Sequence, residues 1–286
     1  MEIGQLLTNK VRFSEHGLLE TYSFKSTKPL FVDVGAHHGS ASRRFAKKGW
    51  CVVAFEPEHK NRAAFMRNLA GAENVTCIPK AVADVTGKMV PFYVSDEHYG
   101  IHSLRPFHKT HKLAYEVETV TLNDALEALD VQSVTLLKVD TEGADFLALK
   151  GFDFNKYNPE LVMVEFMDER SWPHFGYTHH DVAAYMKERG YVTFVSEWAP
   201  IKEYARQDMP SSPHVWIQCV PYPLDHTPSW GNLIFVPESD RDKFSATLES
   251  YLIKSRRAEA VDRLHKQIKK IPGVKLLYGL ISGRYP

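Results

Sequence analysis

The amino-acid sequence predicts an α/β protein with a doubly wound, mostly parallel, Rossmann-like sheet and a helical C-terminal extension. Short apolar runs rich in β-branched residues alternate with helical segments between residues 30 and 220. The first run, Leu30–Val34, leads directly into a turn that contains Gly35 and Gly39, and the second, Cys51–Phe55, ends at the acidic Glu56. A strand, a glycine turn, a helix, a second strand and a terminal acid together form the first half of a nucleotide-binding unit.

The remaining elements follow the same alternation. A short helix is expected within the lead-in at 1–29, and the polar, histidine-rich segment 95–113 is longer than an ordinary connection. Further helices are predicted at 40–48, 59–70, 122–129, 144–150 and 178–189, two of them with threonine N-caps, Thr121 and Thr178. Further strands are predicted at 75–78, 81–84, 89–94, 116–120, 134–139, 161–166, 191–196 and 215–220.

The sequence predicts two parts, divided after residue 237. Residues 1–237 form the α/β domain, in which 1–29 is a lead-in and the proline-rich 221–237 is a packed connector. Residues 238–286 form a basic helical extension, with a helix expected over 239–270. The second half of this helix carries the basic residues Lys254, Arg256, Arg257, Arg263, Lys266, Lys269 and Lys270.

The apolar residues of the extension recur at helical spacing, at Ala258, Val261, Leu264 and Ile268. We favour a docking helix whose apolar stripe packs on the domain while its charges are solvated. The alternative is a basic face that attracts an anionic partner, either a membrane surface or an acidic glycan. Peripheral membrane contact through this helix is therefore left open, and the sequence predicts no oligomeric state.

The composition limits the classes of function. Lys+Arg and Asp+Glu both number 35 in 286 residues, so the formal net charge is zero and no nucleic-acid partner is expected. With three cysteines and neither a C-x-x-C nor an H-E-x-x-H motif, the chain is expected to have no disulfide framework and no metal site. It shows no signal-peptide pattern and no apolar run that could span a bilayer, so a cytoplasmic location is expected.

The glycine turn indicates the type of ligand that it holds. A dinucleotide fingerprint needs a glycine at the middle position of G-x-G-x-x-G, where this chain has His37. This difference disfavours a nicotinamide-dependent oxidoreductase and suits S-adenosylmethionine, which reaches the turn without phosphates. The positive charges of that ligand suit the carboxylate of Asp33, and Glu56 is placed to accept hydrogen bonds from both ribose hydroxyls. The simpler alternative is an ordinary strand–helix pair with a tight turn and a surface acid.

Acidic residues follow or end two further predicted strands. Asp140 and Glu142 follow strand 134–139, and Glu165 lies near the end of strand 161–166. Ligands of parallel sheets bind at the carboxyl ends of the strands, so these acids are candidate catalytic residues. His102, in segment 95–113, is a candidate base or substrate contact. The alternatives are a helix N-cap for Asp140, which can coexist with a ligand role, and an ordinary solvated side chain for His102.

Three stretches carry a family resemblance: VDVGAHHG at 32–39, VAFEPEHKNRAAFMRNL at 53–69 and LLKVDTEGADFLALKGF at 136–152. Together they closely resemble the FkbM-type family of S-adenosylmethionine-dependent methyltransferases. The resemblance implies a class I methyltransferase fold, S-adenosylmethionine as the cofactor, and methyl transfer to an oxygen, often a sugar hydroxyl. Asn123 and Asp145 depart from the family pattern, which often has an acid and a glutamate at these positions, and this affects the substrate rather than the fold.

The residue patterns and the resemblance together nominate individual residues. The acceptor is expected to be a small molecule or a hydroxyl of a sugar in a glycan, glycolipid or natural product. The catalytic candidates are Asp140, Glu142, His102 and Glu165. The candidate cofactor-binding residues are Asp33, Gly35, Ala36, His37, Gly39, Glu56, Pro57, Asn61, Ala81, Val82 and Asp140. The alternative is a non-catalytic, methyltransferase-like module that binds a ligand or partner.

Overall fold

The computed structural model describes residues 13–98, 100–204 and 214–268. The chain divides into two compact units. Residues 23–241 form one unit, and the described parts of 1–22 and 242–286 form the other. The helical extension therefore groups with the N-terminal residues, whereas the boundary predicted after residue 237 stays a prediction.

The larger unit contains the strands β1 (Leu30–Val34), β2 (Cys51–Phe55), β3 (Val75–Ile78), β4 (Ala81–Val82), β5 (Met89–Ser95), β6 (His111–Val120), β7 (Leu136–Val139), β8 (Leu161–Phe166), β9 (Tyr191–Trp198), β10 (Trp216–Pro221) and β11 (Trp230–Pro237). The helices of the whole chain are α1 (Glu15–Thr21), α2 (Ser40–Ala46), α3 (His59–Asn68), α4 (Leu122–Ala128), α5 (Asp145–Lys150), α6 (Phe154–Tyr157), α7 (Asp168–Phe175), α8 (His179–Lys187) and α9 (Arg241–Ile268).

The predicted fold class is confirmed. An eight-stranded sheet has the order β10-β9-β11-β8-β7-β1-β2-β3, and the five strands from β8 to β3 pair in parallel. One face of this sheet presents residues such as Val34, Val139 and Val164 to the apolar sides of α4, α5 and α8. Burial of this core provides the main favourable free energy of the fold.

Two predicted connections contain structure of their own. Residues 221–237 are not a connector, because β11 inserts between β8 and β9 and pairs antiparallel with both. Its apolar residues Leu233 and Phe235 are completely buried. Residues 168–175, for which no element was predicted, form α7 despite an internal proline, Pro173.

A second, smaller sheet has the order β4-β6-β5. The sequence predicted all three strands, although β6 begins at His111, five residues before its predicted start. β5 and β6 pair antiparallel, and segment 96–110 connects them as a long hairpin loop. This segment therefore begins and ends on paired strands, which fixes its ends.

The smaller unit contains α1 and most of α9. The predicted N-terminal helix is confirmed as α1, whose first turn is capped by the hydroxyl of Ser14. Edge-to-face packing joins Phe13 to Tyr251, with ring centroids 5.6 Å apart. None of the helices among the described residues is long and apolar enough to cross a membrane.

The apolar stripe of α9 includes two exposed residues in the part of the helix that is described. Ala258 is exposed, and Val261 has an exposed fraction of 52%. The docking-helix interpretation stays a prediction. Lys269 and Lys270 lie outside the described residues, as do the side chains of Arg263, Leu264, Lys266 and Ile268.

Candidate functional site

The carboxyl ends of β1, β7 and β8 lie side by side in the sheet. Asp33 on β1 pairs in register with Lys138 on β7, which pairs in turn with Met163 on β8. The glycine turn leaves β1 at this edge, and residues 140–142 leave β7 beside it. Parallel pairing thus brings the predicted ligand turn and the predicted catalytic acids to one edge.

The glycine turn requires its glycines. Gly35 and Gly39 have φ values of +74° and +77°, which favour a residue without a side chain. A Cβ atom on Gly35 would lie 1.7 Å from the backbone oxygen of Asp140. The amides of Gly35 and Ala36 both donate to the carbonyl of Phe55, each at 3.0 Å. The turn is therefore held between the ends of β2 and β7, and only glycine permits this approach.

Glu56 is buried beneath this turn. Its Oε2 accepts a hydrogen bond from the His37 amide at 2.7 Å, and its Oε1 accepts one from the Glu58 amide at 2.8 Å. Burial raises the pKa of Glu56 to about 7, although these two hydrogen bonds oppose the shift. The carboxylate is thus oriented by the backbone, with lone pairs left over for a ligand that donates hydrogen bonds.

A buried lysine, which the sequence analysis missed, joins two of the predicted acids. Lys138 Nζ lies 3.3 Å from Asp33 Oδ1 and 3.2 Å from Asp140 Oδ2. Asp33 is completely buried, and its Oδ2 accepts a hydrogen bond from the Ser42 hydroxyl. A lysine within the apolar run LLKV was the available signal, because lysine is rarely buried unless it is paired.

Asp140 is not the cap of the helix that follows it. Asp145 accepts hydrogen bonds from the amides of Thr141 and Gly143, at 2.7 and 3.1 Å. The alternative proposed for Asp140 is therefore wrong, because the N-cap position of α5 is Ala144 and no side chain caps the helix there. The Asp140 side chain is paired with Lys138 and remains 36% exposed, so it is accessible at the edge.

The acids after β7 and on β8 meet around an arginine. Arg170 of α7 forms an ion pair with Glu142, and its Nη1 lies 3.6 Å from Glu165 Oε2. Oxygen atoms of Asp140, Glu142 and Glu165 lie within 4.8 Å of one another, so one cation could contact all three. The expectation of no metal site stays a prediction.

Negative charge is in excess in this group. Burial raises the pKa of Glu142 and that of Glu165, and neighbouring carboxylates raise both further, whereas Arg170 opposes the shift. A carboxyl with a raised pKa is suited to accepting a proton near neutral pH. The excess of acids also favours a positively charged ligand at this edge.

Segment 95–113 and the residues after β9 both reach the acid group. The Ser103 hydroxyl donates to the backbone oxygen of Glu142 at 3.0 Å. The guanidinium of Arg170 lies 4.5 Å from the ring centroid of Phe107 and donates to the Tyr204 hydroxyl at 3.1 Å. Arg170 and Tyr204 were not candidates from the sequence, because no pattern indicates that their segments meet.

His102 lies apart from the acid group in its contacts. Its Nδ1 accepts a hydrogen bond from the Ser95 amide at 3.2 Å, and the titratable groups that act on it include Glu58, Lys60, Asp96 and His38. Burial lowers the pKa of His102, which keeps its ring neutral. Its role as a base or substrate contact stays a prediction.

The other candidate cofactor residues lie in ordered parts of the same unit. The carbonyl of Pro57 accepts a hydrogen bond from Arg62, and the Asn61 amide donates to the carboxylate of Glu58. Ala81 and Val82 form β4, with buried side chains. Their contacts with a cofactor stay predictions.

These features fit S-adenosylmethionine better than a dinucleotide. Gly35 allows close approach of the chain, His37 replaces the glycine that a pyrophosphate needs, and Glu56 presents an oriented carboxylate. The surplus of acids matches the positive charge of the ligand.

Comparisons with known proteins bear on this assignment. A family model described as "Methyltransferase FkbM domain" matches residues 33–193, more than half of the chain. A search of curated proteins found no match.

Three similar solved structures are a precorrin 8w decarboxylase from Methanobacterium thermoautotrophicum, a precorrin-6y C5,15-methyltransferase from Geobacter metallireducens and an rRNA methylase from Streptococcus thermophilus. The first has 12% identity and a TM-score of 0.42, over 81% of this chain and 94% of that one. The second has 11% identity and a TM-score of 0.41, over 80% and 91%. The third has 10% identity and a TM-score of 0.40, over 78% and 93%.

Proposed function

The chain belongs to the FkbM methyltransferase family and uses S-adenosylmethionine as its methyl donor, and from this premise we propose that it methylates a hydroxyl oxygen. The proposed acceptor is a sugar hydroxyl in a glycan, a glycolipid or a natural product. The proposal combines the family resemblance with the acids at the carboxyl edge of the sheet.

The observation that carries this proposal is the contact of Arg170 with Glu142 and Glu165 beside the glycine turn. A neutral hydroxyl is a weak nucleophile, and a carboxylate that accepts its proton in the transition state contributes about 10²- to 10⁴-fold. S-adenosylmethionine supplies an activated methyl carbon when bound. The proposed role of the acids is to hold the acceptor hydroxyl in line and to receive its proton.

The alternative is a non-catalytic module that binds the cofactor and a partner. Such a module has no need of acids with raised pKa values at the edge of the sheet, where polar groups reduce stability unless they serve a ligand. The three acids and Arg170 therefore favour an enzyme.

A labelling screen tests the proposal. The full chain is incubated with tritiated S-adenosylmethionine and fractions of cell glycans and metabolites, with the Glu142→Gln variant as a control. We expect label that resists mild alkali and is recovered as O-methyl sugar by mass spectrometry. Label recovered on nitrogen, in nucleic acid or as an alkali-labile ester would contradict the proposal, as would no label in any fraction from a protein that binds S-adenosylhomocysteine.

Cofactor binding is expected to depend on Glu56. If its carboxylate accepts the ribose hydroxyls, Glu56→Ala removes charge-assisted hydrogen bonds and weakens S-adenosylhomocysteine binding by about 1.5–3 kcal/mol, roughly ten- to a hundredfold. Calorimetry measures the affinity, and Glu73→Ala, at an exposed acid, is the matched control. An unchanged affinity in a folded Glu56→Ala protein would remove the assignment.

The same residue predicts a pH dependence. With a pKa of about 7 in the free protein, Glu56 is protonated below neutral pH and ionised above it. The ionised form accepts hydrogen bonds better, so S-adenosylhomocysteine affinity is expected to be higher at pH 8 than at pH 6. Glu56→Gln is expected to abolish this difference.

The basic face of α9 is proposed as a peripheral membrane contact. Lys254, Arg256 and Arg257 are exposed, and each basic residue near an anionic membrane contributes about 1 kcal/mol. Vesicles that contain phosphatidylserine are expected to co-sediment the protein at low salt and to release it at high salt. Arg256→Gln combined with Arg257→Gln should weaken this binding, and no binding at low salt would exclude a membrane role.

A further inference from the structure

Arg170 occupies an unusual position for an arginine on a short helix. It is only 4% exposed, although it is the third residue of α7. Its guanidinium contacts two acids, Glu142 and Glu165, and two aromatic side chains, Phe107 and Tyr204. These partners come from four separate segments of the chain, so this one side chain links all four segments.

We propose that Arg170 is a positioning residue for methyl transfer: its guanidinium holds Glu142 and Glu165, which come from different strand ends, as one pair that faces the acceptor. The inference rests on the proposed function, in which one of these acids receives the proton of a hydroxyl. Arg170 itself neither binds the methyl group nor takes the proton.

The geometry suits a guanidinium and no other cation. Nη1 contacts the acids, whereas Nη2 donates to the Tyr204 hydroxyl at 3.1 Å, so both terminal nitrogens of the planar group are held at once. The Cζ atom of the group lies 4.5 Å from the ring centroid of Phe107, over the ring. A lysine carries the same charge but lacks the planar fork and the flat face, so it cannot make all of these contacts together.

The backbone of Glu142 and Gly143 supports this arrangement. Glu142 has a φ of +58°, uncommon for a residue with a side chain, and Gly143 has a φ of +108°. A Cβ atom added to Gly143 would lie 3.4 Å from the Cβ of Arg170, so the chain passes close to α7 here. The unusual backbone directs Glu142 to the guanidinium, a constraint that a surface ion pair does not need.

Arg170 also determines the electrostatics of the pair. It favours the ionised form of both acids, against burial and against the repulsion between the carboxylates. Without this cation the acids would hold their protons to higher pH and could accept one from a hydroxyl only in more alkaline solution. The other titratable groups that act on the acids or on Arg170 are Asp140, Asp145, Lys138, Tyr177, Tyr204, His108 and His111.

Two substitutions separate the charge of Arg170 from its shape. Arg170→Gln removes the charge, and Arg170→Lys keeps the charge but loses the fork. Arg189→Gln is the matched control, because Arg189 also lies over an aromatic ring, 3.3 Å from the centroid of Tyr185, but contacts none of these acids among its described partners. S-adenosylhomocysteine binding by each variant establishes that it is folded.

The first measurement needs no acceptor. The full chain labelled with carbon-13 at the glutamate carboxyls is titrated by NMR with S-adenosylhomocysteine bound, and Glu142→Gln and Glu165→Gln assign the two signals. Arg170→Gln is expected to move both titrations upward by about one to three pH units, whereas Arg170→Lys and Arg189→Gln leave them near the wild-type values.

The second measurement uses the cell-extract fraction that accepts label from S-adenosylmethionine. Arg170→Gln should lower kcat by about 10²-fold or more and move the acidic limb of its pH profile upward. Arg170→Lys should lower kcat, by about tenfold to a hundredfold, with the limb unmoved, because misplacement alone reduces the rate.

The outcomes distinguish failure of the inference about Arg170 from failure of the proposed function. If Arg170→Gln loses activity while the carboxyl titrations and the acidic limb stay in place, Arg170 is only structural and the inference is wrong. Full activity in Arg170→Gln would also overturn it. If no fraction accepts label although the carboxyl titrations shift as expected, the proposed function fails, while the control of the two acids by Arg170 stands.

Discussion

Glu142→Gln and Asp140→Asn are each expected to lower kcat for methyl transfer by about 10²- to 10⁴-fold, the usual contribution of a positioned acid or base. Glutamine and asparagine keep the shape of the side chains but cannot receive a proton. Asp140 lies beside the glycine turn and pairs with Lys138, whereas Glu142 pairs with Arg170. We expect a larger loss for Glu142, because Arg170 is proposed to hold its carboxylate in position for the acceptor.

These variants should remain folded. The native structure raises the pKa of Glu142, so the protonated form is favoured on folding. Wild-type stability therefore decreases as the pH rises from the ordinary glutamate range toward this raised pKa. The neutral side chain of Glu142→Gln avoids that loss. The variant should therefore have a near-native melting temperature at neutral pH. Any gain in stability over the wild type should disappear in acid.

The test compares turnover of the labelled acceptor fraction with thermal unfolding in the same preparations. Glu127→Gln is a suitable control, since Glu127 is an exposed acid whose partner is Lys156. Wild-type turnover in both site variants would remove these acids from the mechanism. A large fall in melting temperature would instead show that Glu142 acts mainly through its ion pair.

The parallel half of the sheet could be predicted because its signals are local. Leu30–Val34 and Leu161–Phe166 are apolar runs bounded by turns, and an acid at or after a strand end indicates the edge that it occupies. Parallel pairing then brings acids from different strands together. Asp140, Glu142 and Glu165 are therefore predicted site residues from the sequence alone.

The remainder depends on partners that are distant in sequence. Trp230–Pro237 follows a proline-rich stretch, and nothing in its own residues shows that it inserts between β8 and β9. Residues 168–175 contain a proline and form a helix of eight residues, too short for a clear period. The sequence therefore predicted no helix that contains Arg170, and it predicted no partner for Glu142 and Glu165.

Lys138→Met is expected to destabilise the protein by about 3–5 kcal/mol, the usual effect of removing one partner from a buried ion pair. Asp33 is completely buried, and the substitution would leave its carboxylate with the Ser42 hydroxyl as its described side-chain hydrogen-bond partner. Burial opposes the charge of Lys138, but Asp140 and Asp33 outweigh this effect and raise the pKa of the lysine. The contribution of the lysine charge is therefore present at neutral pH and is lost in strongly alkaline solution, as the pH rises through the raised pKa of the lysine.

Chemical denaturation measures this effect, and a double variant tests its cause. Adding Asp33→Asn to Lys138→Met removes the uncompensated charge but keeps an acceptor for Ser42, so we expect recovery of a large part of the lost stability. Lys156→Met is the control, because Lys156 forms a comparable ion pair with Glu127 at the surface, where little change is expected. A loss below about 1 kcal/mol for Lys138→Met, or no recovery in the double variant, would show that the buried pair is not what stabilises this edge of the sheet.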